Sequence, residues 1–193
     1  MTARFAYPVF LDLHGVLVLV VGGGHVGARK VAGLHAAGAD VRLVATVVSD
    51  SVDRATCVEI SERSFAAADL DGVRLVVTAT GDRQTDATIS ALARERSIWT
   101  NAADQPVDCD FILPAIASTG GVTAAVSTDG ASPALAKALR DRVAAMLTDD
   151  VAALAVELAV ERADIKARGE STEDIDWSPR IDAVLDRPRD GMQ

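Results

Sequence analysis

Aromatic residues are scarce in this chain: four Phe, two Trp and one Tyr among 193 residues. Almost half of the residues are nonetheless apolar, so Ala, Val and Leu must fill the interior. That composition suits buried parallel strands and close helix packing. Cysteine is scarcer still. Cys57 and Cys109 stand far apart and in no CxxC pair, which argues against a disulfide-stapled secreted domain and predicts buried, reduced thiols in a cytosolic protein. Basic residues are outnumbered, 19 Lys and Arg against 28 Asp and Glu, for a net charge of −9. A general nucleic-acid or anionic-membrane binder is therefore not expected, and an anionic ligand must be met by local cations. The longest apolar stretches are broken by Asp149, Asp150 and Glu157 and are too short to span a bilayer. Residues 1–11 carry no signal-peptide pattern. The expectation is a soluble, cytoplasmic protein.

What is present is an alternation of strand and helix patterns. Residues 16–21 form a β-branched and aliphatic run that stops at Gly22-Gly23-Gly24; apolarity on both faces predicts a strand buried on both. Residues 26–37 carry apolar side chains at helical spacing, and Gly38 is placed to end that helix. Residues 41–45 make the next strand, completing a β-α-β unit. Strands at 57–60 and 74–80, a helix at 83–96 and a strand at 97–101 continue the alternation, which predicts an open, doubly wound sheet.

The texture changes near Pro106. Two β-type runs, 115–118 and 122–128, flank Gly120-Gly121 and read as an antiparallel hairpin. Ser132-Pro133 then opens a helix to about Leu147, and Asp149 or Asp150 is placed to cap another to about Arg168. Residues 169–193 are charged and predict a short helix with a frayed tail. The expected fold is α/β: a Rossmann-like parallel sheet over 1–113, a hairpin-and-helix region over 114–147 and a helical C-terminal part over 148–193.

A strand entering Gly22-x-Gly24-x-x-Gly27 and a helix leaving it form the context in which this spacing binds a dinucleotide. The first glycine permits the turn, the second lets the pyrophosphate approach, and the third lets helix and sheet pack. His25, Val26 and Gly27 would then offer the first turn's N–H groups to the phosphates. The alternative is a merely flexible glycine turn. The acidic residue that usually binds the adenosine ribose is absent from 44–47, so Thr46, Val47 or backbone groups must make those contacts. No Arg follows the strand to favour a 2′-phosphate, so NAD is preferred over NADP.

Further motifs fall in a recognisable order: Tyr7-Pro8-Val9-Phe10-Leu11-Asp12-Leu13, the glycine loop with Arg29-Lys30, Asn101-x-x-Asp104, Phe111-Ile112-Leu113-Pro114, and the run from Ser127 through Ser132-Pro133 to Ala136. In this order the chain resembles the precorrin-2 dehydrogenase and sirohydrochlorin ferrochelatase family, the N-terminal type of siroheme synthase. The resemblance extends from Tyr7 to about Leu147. It implies NAD as cofactor, a Rossmann-like domain, a dimerisation region at 114–147 and an intertwined homodimer with its active site between domains. It also implies oxidation of precorrin-2 to sirohydrochlorin, with bifunctional members then inserting Fe²⁺ as a second substrate. Longer members add a methyltransferase domain, for which these 193 residues leave no room.

Read alone, Asp104 is more readily a turn-capping residue; the resemblance makes it the family's proposed catalytic Asp, a general base for oxidation. Asn101 either orients substrate or closes a strand end. Thr80, in the small-residue stretch 78–82, either lines the cofactor site or makes a tight turn. Lys137 and Arg140 share a helix face and, with Ser132 at the helix start, could cradle the carboxylates of a tetrapyrrole; solvated surface charge is the plainer reading. Thr128 stands where some relatives carry a Ser. His14 and His35 have no partners at ligand spacing and His25 sits inside the phosphate loop, so no metal site is expected, and Cys109 reads as a packing residue. Against an enzyme stands a non-catalytic NAD-sensing module, which would need neither Asp104 nor the Ser132-Pro133 loop. A short-chain dehydrogenase for another substrate is disfavoured, because no Tyr-x-x-x-Lys pair is present.

Overall fold

A computed structural model describes residues 4–187, which fall into two units divided after Ile112. In the first, β1 (Leu17–Gly23) is the central strand. Val18 and Val20 point to one face and Leu19 and Val21 to the other, all essentially buried. Burial on both sides explains why this run has no polar alternation. α1 (His25–Ala36) covers the first face with Ala28 and Val31, joined there by Val41 and Leu43 of β2 (Asp40–Val48). α2 (Arg83–Glu95) covers the second face with Ile89 and Ala93. With β3 (Cys57–Glu62), β4 (Leu75–Thr78) and β5 (Trp99–Ala102) the sheet has the order β3-β2-β1-β4-β5, and every pair is parallel. The Rossmann-like α/β expectation holds. Leu43 has no exposed surface, so Leu43→Ala should lower stability by about 2–5 kcal/mol through lost burial and a residual cavity, measured by urea unfolding.

Several boundaries differ from expectation for identifiable reasons. β2 runs three residues beyond Ala45, because pairing resumes past an irregularity at Val21/Gly23, with Gly23 opposite Val48 and the Ser49 N–H donating to the Gly23 carbonyl at 2.9 Å. α1 ends at Ala36, and Gly38 follows in the left-handed region at φ +82°. Cys109 is buried, but Cys57 is only half-buried; both thiols are free.

The second unit opens with a hairpin of β6 (Ala115–Thr119) and β7 (Val122–Val126), joined by Gly120-Gly121. Gly120 has φ +56°, and a Cβ there would lie 2.8 Å from the Ala152 methyl. α3 (Pro133–Ala144) packs on both strands. It stops short of Leu147 because the N–H groups of Met146 and Leu147 turn to carbonyls three residues back. α4 (Asp149–Ala167) is capped by Thr148, whose Oγ1 accepts from the Val151 N–H, rather than by Asp149 or Asp150. Those two carboxylates occupy the first turn instead, where the helix dipole favours them. α5 (Ser178–Leu185) packs on α4; the expected frayed tail from residue 188 lies outside the described residues. Among the described residues of this unit only Ala117, Ala136 and Ile165 are buried apolar ones, while Ile116, Leu135, Val156 and Val160 are half exposed or more. No described helix is long and apolar enough to cross a membrane.

Candidate functional site

Strand order reverses between β1 and β4, and in open parallel sheets such a reversal opens a crevice at the carboxyl ends of the strands. The glycine loop lies there. Gly22 has φ +117°, and a Cβ on it would lie 2.2 Å from the Ala79 carbonyl oxygen. A Cβ on Gly27 would lie 1.9 Å from the Gly22 carbonyl oxygen. These two glycines are required by the protein itself. Gly24 is different: its φ is −78°, which any residue adopts, and an added Cβ would meet nothing within 4 Å. The protein leaves that space empty without needing to.

α1 begins at His25 with no side-chain cap and no acidic residue in its first turn. The N–H groups of such a turn have no intrahelical partners and carry the positive end of the helix dipole. An uncapped helix start beside an unfilled glycine cradle fits the pyrophosphate of a dinucleotide. His25 and Val26 are exposed in that turn, and an open groove of about 420 Å³, lined by His25, Ala28, Arg29, Ala32 and Ser51, runs alongside. Thr46 and Val47 are exposed near the end of β2. The longer β2 also revises the expectation of a missing carboxylate: none lies in 44–47, but Asp50 is exposed just beyond the strand's end at Val48.

Thr80 follows β4. Its Oγ1 donates to Asp86 Oδ1 at 2.8 Å, and its N–H reaches the same oxygen at 3.3 Å. Asp104 follows β5, exposed and with φ +58°, a left-handed backbone unusual for a residue other than glycine. Asn101 is buried; its Nδ2 donates to the Phe111 carbonyl at 3.0 Å, and its Oδ1 accepts from Lys30 Nζ at 3.4 Å. Burial holds the Lys30 ammonium below the ordinary lysine range, while Cys109 and Asp104 act to raise it and Arg29 to lower it. Cys109 accepts from the Ala102 N–H at 3.2 Å, and burial pushes its thiol up.

Sequence reasoning assigned no role to Lys30, Asp86 or Gln105. For Lys30 a signal existed: it stands three residues after Gly27 and beside Val31, on the face of α1 that packs on the sheet. Nothing local marked Asp86 or Gln105, whose partners are set by the fold.

In the second unit Thr128 and Ser132 are bonded to each other: Thr128 Oγ1 accepts from the Ser132 N–H and donates to the Ser132 carbonyl, each at 3.1 Å. Ser132 Oγ accepts from the Leu135 N–H at 3.2 Å, capping α3. Lys137 Nζ and Arg140 Nε both reach Asp141, at 2.9 and 2.7 Å, and these hydrogen bonds hold the Asp141 carboxyl below its usual range. The two cations thus share one carboxylate, an arrangement in which much of their charge is already answered. Among the described residues no group of three or more His, Cys, Asp and Glu is placed to hold a metal ion.

Comparison with known proteins fits this geometry. A family model described as "Putative NAD(P)-binding" matches residues 9–115, and one described as "Sirohaem biosynthesis protein central" matches residues 118–146. Similar proteins include a siroheme synthase of Methylococcus capsulatus, 42% identical over 140 residues covering 70% of this chain and 29% of that protein. A siroheme synthase of Nitrosococcus oceani is 37% identical over 165 residues, covering 83% of this chain and 35% of that protein. The chain therefore spans about a third of the length of these relatives. A solved structure named SirC, precorrin-2 dehydrogenase, superposes with a TM-score of 0.69 at 26% identity, covering 95% of this chain and 90% of that one. With the first family model matching more than half of its residues, from the strand before the glycine loop to the start of the hairpin, the chain belongs to this NAD(P)-binding family.

Proposed function

We propose that this chain oxidises precorrin-2 to sirohydrochlorin with NAD⁺. The observation that carries the reading is the likeness to a precorrin-2 dehydrogenase through nearly the whole of both chains, a coverage the longer siroheme synthases do not offer. When bound, NAD⁺ supplies the hydride acceptor for the oxidation. The chain's own residues bind, orient and move a proton. Gly24 leaves room for the pyrophosphate, and the first turn of α1, with His25, Val26 and Gly27, donates N–H groups to it. Thr46, Val47 and Thr80 flank the rest of the cofactor along the carboxyl edge of the sheet. Asp104, exposed at the same edge, takes the proton released as the macrocycle loses its hydride. Asn101, anchored by Phe111 and Lys30, orients the substrate beside it. In the second unit, Ser132 and Thr128 shape the start of α3, and Lys137 and Arg140 meet substrate carboxylates, with Asp141 as the group the substrate displaces.

The active form we infer is a homodimer. The half-exposed Ile116, Leu135, Val156 and Val160, beside only three buried apolar residues among the described residues of that unit, support a second copy as the missing cover. Fe²⁺ enters only as the substrate of a following chelation step.

Under anaerobic conditions, purified protein given precorrin-2 and NAD⁺ should produce NADH and sirohydrochlorin in equal amounts, followed by their absorbance. Fe²⁺ or Co²⁺ added afterwards reports chelation separately. Tight NAD⁺ binding with no turnover would instead identify a cofactor-sensing module and overturn the reading.

A further inference from the structure

Asp86 is the most deeply buried acidic residue of the first unit, at 2% exposure. A buried carboxylate is costly unless its oxygens are met by donors, and here both are. Oδ1 accepts from the Thr80 Oγ1 at 2.8 Å and from the Thr80 N–H at 3.3 Å, and Oδ2 accepts from Gln105 Nε2 at 3.1 Å. No Lys or Arg among the described residues forms an ion pair with it. Its bonds run to two separate segments: the turn after β4, which carries Thr80 next to the Ala79 carbonyl that abuts Gly22, and the turn after β5, where Gln105 adjoins Asp104. Asp104 stands left-handed in the second of these turns, a conformation Asp accepts, and Gln105 anchors the residue that follows it.

We infer that Asp86 is a positioning residue: a buried brace whose carboxylate ties the cofactor-side turn at Thr80 to the Asp104 turn through Gln105 and so fixes the distance between them. The catalytic consequence rests on the function proposed above; the mechanical one does not. Gln105 adds a chemical detail. Its Oε1 is buried without a hydrogen-bond partner, while its Nε2 faces Asp86. An asparagine at 86 could accept from Thr80 through its oxygen and donate through its amide to Gln105 Oε1, once the Gln105 amide turns over. The brace would survive, the unpartnered buried position passing from the Gln105 oxygen to its amide nitrogen. Alanine offers neither bond.

Amide hydrogen exchange on the intact protein tests the brace without substrate. Asp86→Ala should raise exchange about tenfold or more in both 79–82 and 103–106, the order expected for losing a buried hydrogen bond or two. Asp86→Asn should restore protection to within about threefold of the parent protein. Gln105→Ala should loosen 103–106 alone, and combining it with Asp86→Ala should add nothing further in that segment. Loosening of only one segment in Asp86→Ala, an asparagine variant no better than alanine, or additive effects in the double variant would each overturn the brace. If Asp86→Ala does not fold, the contrast of Asp86→Asn with Gln105→Ala decides the same point: loose 103–106 in Asp86→Asn overturns it. In turnover, Asp86→Ala should lower kcat about tenfold or more with a smaller change in KM for NAD⁺, and Asp86→Asn should recover most of it. A parent protein that does not oxidise precorrin-2 refutes the proposed function and leaves the exchange result standing.

Discussion

Gly24→Val is expected to abolish useful NAD⁺ binding while leaving the protein folded. The backbone at Gly24, φ −78° and ψ −173°, is open to β-branched residues, and nothing in the protein lies within 4 Å of the new Cβ. The valine therefore strains no strand, helix or turn, and Tm should move by no more than about 2 °C. The side chain would instead occupy the space in front of the first turn of α1, where the pyrophosphate must approach the N–H groups. Losing two hydrogen bonds to a charged group, each worth about 1.5–3 kcal/mol, weakens binding by at least roughly 100-fold. Titration of cofactor by calorimetry or fluorescence checks the affinity, and a thermal melt checks the fold. Gly27→Ala is the internal contrast. Its methyl would overlap the Gly22 carbonyl at 1.9 Å, forcing α1 away from β1, so Tm should fall together with binding. Unchanged NAD⁺ affinity in Gly24→Val would remove the loop from the cofactor site.

The difference between these two glycines shows where sequence reasoning reached and where it stopped. That 22, 24 and 27 belong to one phosphate loop followed from the strand before them and the helix after them. That two are required by the protein itself, while the third is left free for the cofactor under the proposed function, depends on what each Cβ would touch, which spacing cannot supply. The sheet was legible for a related reason. Residues 18–21 and 75–77 are buried on both faces, and two-sided burial leaves an unbroken apolar run; in β2 the buried Val41, Leu43 and Val44 are interrupted by Arg42, which pairs with Glu59. Ends of elements were less legible because they are decided by single hydrogen bonds. β2 continues past Ala45 through the Ser49 to Gly23 bond, and Thr148 rather than its acidic neighbours caps α4. Asp104 and Asn101 were singled out as candidates by motif. Asp86 and Lys30, which support the same edge, were not, because the bonds from Asp86 to Gln105 and from Lys30 to Asn101 span 19 and 71 residues of chain. Charged residues at helical positions look like surface until the sheet edge they pack beneath is known.

Asp104→Asn should lower kcat by about 10²- to 10⁴-fold, the range a positioned general base supplies, with NAD⁺ affinity changed by less than about threefold because no phosphate-loop contact is touched. Asparagine is the informative replacement for a backbone reason. Asp104 sits at φ +58°, where Asn and Asp are accepted and alanine adds roughly 1–2 kcal/mol of strain. Asp104→Ala would thus mix lost chemistry with a distorted turn, and its result could be read either way. Asp104→Gly separates the two in the opposite direction: it relieves the left-handed backbone, so stability should hold or rise by up to about 1 kcal/mol while activity is lost. A residue present only to cap its turn predicts the reverse pattern, with Asp104→Asn near parental activity. Single-turnover measurement of NADH formation from bound precorrin-2, paired with a melt of each variant, distinguishes these outcomes, because it reads proton and hydride loss without product release. Parental turnover in Asp104→Asn would move the general base elsewhere on this edge.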